Sequence, residues 1–72
     1  MTIMDKINAM TVAAGGNPSG GSIVDCLANL AKVKGVEIDG NAADNLPGNL
    51  SIAEAMAAVL TPAEQEEVLG DG

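Results

Sequence analysis

Apolar residues recur along this chain at helical spacing in four short blocks. Each block opens on a hydroxyl residue with an acid three places on, and glycine, asparagine or proline separates most of the blocks. Ile3, Ile7, Met10 and Ala14 follow Thr2 and Asp5, which predicts a helix from about Ile3 to Ala14, weakened in its last turn by Thr11 and Val12 and stopped by Gly15-Gly16. A second opens at Ser22, whose hydroxyl can accept from the Asp25 amide, and runs with Ile23, Leu27, Leu30 and Lys34 on one stripe until Gly35. The third has the clearest start: Leu50, then Ser51 as N-cap and Glu54 at the third helical position, a reciprocal capping box ahead of Ile52 to Leu60. Ile52, Met56, Val59 and Leu60 form its apolar face, and Ala53, Ala57 and Ala58 would let another helix come close. Thr61, Pro62 and Glu64 then start a new helix to Leu69 that has only Val68 and Leu69, with little help from Ala63, to pack.

Between these blocks, GGNPSGG from Gly15 to Gly21 has nothing to bury and is expected to be an exposed, flexible linker. Val36, Glu37 and Ile38 alternate like a very short strand closed by Asp39-Gly40, either an extended connector or an edge that pairs with the same segment of a neighbour. Asn41 to Asn49 is loop-like, with Leu46 as its anchor and Pro47-Gly48 as a turn. The expected fold class is therefore mostly α: three to four short helices joined by Gly/Pro/Asn-rich loops in one domain spanning residues 1–72, with at most one very short extended segment near Val36-Ile38.

Composition changes this picture in one respect. Much of the hydrophobic fraction of 47% is alanine, and there is no Phe, Tyr or Trp, so the core rests on Ile, Leu, Val and Met. Small domains with light cores usually gain stability from disulfides, a metal or a partner chain. Cys26 is the only cysteine and there is no histidine, so neither an intrachain disulfide nor a zinc site of the usual nitrogen and sulfur ligands is available. Burial against a partner is what remains, and a homo-oligomer with the second helix at its interface is expected.

Charge narrows the partners. A net charge of −7 with only Lys6, Lys32 and Lys34 as cations argues against nucleic acid and against anionic membrane surfaces. The longest apolar run, Ile52 to Leu60, is interrupted by Glu54 and is far short of the roughly 20 residues that span a bilayer. Asp5 and Lys6 break up any secretory leader, and the lone thiol suits a reducing cytoplasm. The alanines before Gly15-Gly16 also suggest a double-glycine processing site, which would make the chain an exported peptide cut after Gly16.

No catalytic arrangement emerges. A nucleophilic triad needs histidine, a serine and lysine dyad needs a cleft, and none of the carboxylates lies in an apolar stretch that would make it an acid or base. DGNAADN from Asp39 lacks the ligand order and the terminal glutamate of a calcium loop, and GGNPSGGS lacks the lysine of a phosphate loop. No catalytic, cofactor-binding or metal-ligating residue is assigned. Cys26 is read as a small half-buried hydrophobe and Glu64, Glu66 and Glu67 as a solvated helix face.

The words SIVDCLANLA from Ser22 and SIAEAMAAVL from Ser51 echo each other: cap, isoleucine, an acid at the third position, then leucine or methionine and alanine in register. In their longer forms, GGSIVDCLANLAK and GNLSIAEAMAAVL, they resemble segments of small structural proteins of tailed bacteriophages, of the head-fibre and capsid-decoration type, over about a third of the chain. That resemblance implies a virion accessory protein, made in the host cytoplasm, acting as an anchor or cap rather than a shaft, with no catalytic residues to carry over. Its partners would be a capsid or tail protein and further copies of itself, met through Ile23, Leu27, Leu30, Ile52, Met56, Val59 and Leu60. The alternative is a small acidic cytoplasmic inhibitor that blocks a basic site on a host protein through its last helix.

Overall fold

The computed structural model of the chain describes residues 2–38, 40–41 and 50–70. Among them are four helices: α1 (Ile3–Ala13), α2 (Ile23–Lys34), α3 (Ile52–Val59) and α4 (Pro62–Leu69). Each starts where local chemistry satisfies the free amides of a first turn. Thr2, Ser22, Ser51 and Thr61 are extended N-caps whose hydroxyls accept from the amides of Asp5, Asp25, Glu54 and Glu64. In α1, α2 and α4 the acid returns the bond to the cap's own N–H. The reciprocal box expected at α3 differs: the Ser51 hydroxyl donates to Glu54 Oε1 at 2.9 Å, so the glutamate binds the cap's side chain.

The ends of α1 and α2 have a common form. Gly15 at φ 97° and Gly35 at φ 74° turn the chain into the left-handed region, and the next amides, Gly16 and Val36, reach back to the carbonyls of Thr11 and Ala31 at 2.9 and 3.0 Å. α1 therefore ends at Ala13 and is not frayed by Thr11, which is fully buried with its hydroxyl donating to the Ile7 carbonyl at 3.2 Å.

α1 packs on α2, α2 on α3, and α4 against both α1 and α3. One apolar cluster fills the space between them: Ile7 from α1; Cys26, Leu27, Leu30 and Ala31 from α2; Ala55, Met56 and Val59 from α3, with Leu60 behind it; Val68 from α4; and Ile38 from the connector. Along the connector Val36 is half-buried, Glu37 exposed and Ile38 buried, the expected alternation. The only pairing described there is an isolated antiparallel bridge, in which Ile38 and Asn41 exchange both backbone hydrogen bonds at 2.9 Å. Ile38 thus pairs within its own chain. The expected anchor Leu46 and turn Pro47-Gly48 lie outside the described residues.

The segment from Gly15 to Gly21 is mostly exposed, and side chains of α1 and α2 bind its backbone. The Asn8 amide brackets Ser19, donating to its carbonyl at 2.9 Å and accepting from its N–H at 3.0 Å. From α2, Asn29 Nδ2 donates to the Asn17 carbonyl and the Cys26 thiol to the Ser19 carbonyl at 3.6 Å. A side-chain carbon at Gly16 would run into Val33, so this glycine lets the loop lie close against α2. The Cα radius of gyration, 11.0 Å, equals the value of about 11 Å for a compact domain of 72 residues.

Candidate interaction surfaces

Burial sorts the seven residues expected to meet a partner. Leu27, Leu30, Met56, Val59 and Leu60 are buried within the single chain, where they belong to one apolar cluster. Ile23 is half-buried and packed on the same cluster. Only Ile52 is open, with 45% of its surface exposed. The stripes of α2 and α3 are thus the core of one chain, because each supplies the apolar face that the other needs.

The echo between α2 and α3 extends to burial. Counting from the N-cap as zero, positions 4, 5, 8 and 9 are buried in both: Cys26, Leu27, Leu30 and Ala31 in one, Ala55, Met56, Val59 and Leu60 in the other. α1 follows the same pattern, with Thr2, Ile3 and Asp5 at its start and Ile7 and Thr11 buried at positions 5 and 9. Three helices therefore carry isoleucine directly after the cap. Ile3 and Ile23 pack against the core; Ile52 does not. Ala53, Ala57 and Ala58 are exposed on the same helix, so the close helix approach expected of them is not used within the chain.

Two of the three lysines are drawn inward. Lys6 Nζ donates to the carbonyls of Val68 and Gly70 at 3.4 and 3.2 Å, at the end of α4, where the helix dipole favours a cation. Lys34 Nζ donates to the Val59 carbonyl at 2.6 Å, at the end of α3, and to Glu64 Oε1 at 2.7 Å. The Lys34 ammonium holds the Glu64 carboxyl below its ordinary value of 4.5, helped by the Thr61 N–H. Asp5 is likewise lowered, chiefly by the Thr2 N–H that it accepts. These placements leave Glu66 and Glu67 exposed on α4 without either lysine as a partner. Leu69, expected to pack beside Val68, is 58% exposed.

Cys26 is fully buried rather than half-buried. Among the described residues no three His, Cys, Asp or Glu side chains converge as metal ligands, and no helix is long and apolar enough to cross a membrane. The roles of Lys6, Asn8 and Asn29 carried no signal in the sequence, since each acts on a backbone carbonyl eleven or more residues away. No family model matches the chain, and no curated protein or solved structure does.

Proposed function

We propose that this chain is a non-catalytic interaction module, a virion accessory protein of the kind its capped-helix words resemble, made in the host cytoplasm and seated on a capsid or fibre protein. Its partner is met by the surface left over once the core has closed. The observation that carries this reading is Ile52: of three isoleucines in the same place after a helix cap, it alone is left open, on a helix whose Ala53, Ala57 and Ala58 are also exposed. A self-contact through the same face would give the homo-oligomer that the light composition suggested.

The runner-up is an acidic inhibitor of a basic protein. What favours it is the use of Lys6 and Lys34 inside the chain, which leaves Glu66 and Glu67 unneutralised on α4. Salt separates the two, because apolar contacts survive about 0.5 M salt while exposed charge contacts are screened within a few ångström. The experiment is co-sedimentation of the tagged chain with particles from the cells that make it. Retention on a virion-sized particle at high salt, lost in Ile52→Asp but not in Glu66→Gln/Glu67→Gln, supports the accessory protein. Release by salt and by the double glutamine variant supports the inhibitor, and a chain that stays free at low salt contradicts both.

A further inference from the structure

α4 has little of its own to hold it down. It is eight residues long, well under the roughly 12 to 15 at which even good sequences hold a helix alone. It commits one side chain, Val68, to the core, where α2 commits Cys26, Leu27, Leu30 and Ala31. Glu66 and Glu67 lie in its C-terminal half with no basic residue in the last turn, which the helix dipole disfavours. Its contacts are with α1 and α3, whereas α1, α2 and α3 pack in series without needing it.

What closes it are two lysines carried by other helices. Lys6, on α1, binds the carbonyls of Val68 and Gly70 at its C-terminal end. Lys34, on α2, binds Glu64 in its first turn and also the Val59 carbonyl just before the joint. That joint, Leu60-Thr61, is two consecutive extended residues, so α4 is not a continuation of α3 and can swing without unwinding it. We propose that α4 is a charge-held latch that opens as a unit while α1, α2 and α3 stay packed. Opening withdraws Val68 from the cluster it shares with Ile7, Val59 and Leu60, and bares apolar surface between α1 and α3 that the closed form hides.

Native-state amide exchange at increasing urea tests this residue by residue. The amides from Gln65 to Gly70 should exchange at least about ten-fold faster than those of Leu27 and Leu30, with a shallow urea dependence, because little surface is exposed by the opening. Lys6→Met and Lys34→Met should each speed the α4 amides by about ten-fold, the size of one charge-assisted hydrogen bond. Wild-type α4 amides that exchange at the same rate and with the same steep urea dependence as those of Leu27 and Leu30 would overturn the latch. So would variants that leave α4 exchange at its wild-type rate, or that lose helical structure altogether, since the lysines would then be holding the whole core.

Discussion

Replacing Leu27 with alanine tests whether the α2 stripe is the core of a single chain. Leu27 is fully buried on the central helix of the α1–α2–α3 series, so truncation removes transfer energy and leaves a cavity, together about 2 to 5 kcal/mol. A 72-residue domain at 0.05 to 0.15 kcal/mol per residue has roughly 4 to 11 kcal/mol in all, so the loss takes a large share of it. At about 4 to 8 °C per kcal/mol, a loss of about 3 kcal/mol lowers the melting temperature by about 12 to 24 °C. Ile52→Ala is the control: with 45% of its surface open it forfeits far less burial, and a change within about 1 kcal/mol is expected. Far-ultraviolet circular dichroism is the assay, since the chain has no tryptophan or tyrosine. Both variants are melted and titrated with urea at about 10 μM, where association of folded chains contributes least. Equal costs at the two positions would refute the single-chain core.

Other perturbations read other parts of the structure. Glu64 is held below its ordinary value by Lys34, so the stability it contributes is complete above about pH 4.5 and is lost as the pH falls through the lowered value; carboxyl-carbon NMR should show the Glu64 titration move up in Lys34→Met, and an unmoved titration would discount the ion pair. Gly35→Ala places a side chain at φ 74° and should cost about 1 to 2 kcal/mol by urea titration, whereas no loss would mean that the α2 terminus relaxes freely. Gly16→Val drives a side chain into Val33 and should cost about 1 to 3 kcal/mol, with exchange from Gly16 to Ser19 speeding up in parallel; a neutral result would show that the loop is not seated on α2. Removing residues 1–16 takes Ile7 and Thr11 from the core and Lys6 from α4, so the truncated chain should lose cooperative melting, and a well-folded product would favour the exported peptide.

The parts of the fold that were legible in the sequence are those decided within a few residues. A hydroxyl that can cap and an acid three places on are local chemistry, so the starts at Thr2, Ser22, Ser51 and Thr61 and the stops at Gly15 and Gly35 could be read directly. What the apolar stripes pack against is not local. Leu27 and Met56 would show the same periodicity whether the facing stripe belonged to the same chain or to another, and composition alone favoured another. The seating of the Gly15–Gly21 segment was hidden for a related reason: Asn8 and Asn29 hold it through single bonds to backbone atoms, which leave no period and no motif. Ile52 stood in the expected face of α3 by spacing, yet it stays open where Ile3 and Ile23, at the same place after their caps, pack on the core, so neither the stripe nor the cap position alone decides exposure.

The central claim, that the stripes of α2 and α3 satisfy each other inside one chain, is tested most directly by isotope-filtered NMR on an equal mixture of carbon-13-labelled and unlabelled protein. Contacts between the methyls of Leu27 and Leu30 and those of Met56, Val59 and Leu60 should be strong in the fully labelled sample and vanish when only cross-chain pairs are detected. Clear cross-chain peaks among these methyls would show that the core is built between chains and would contradict the account.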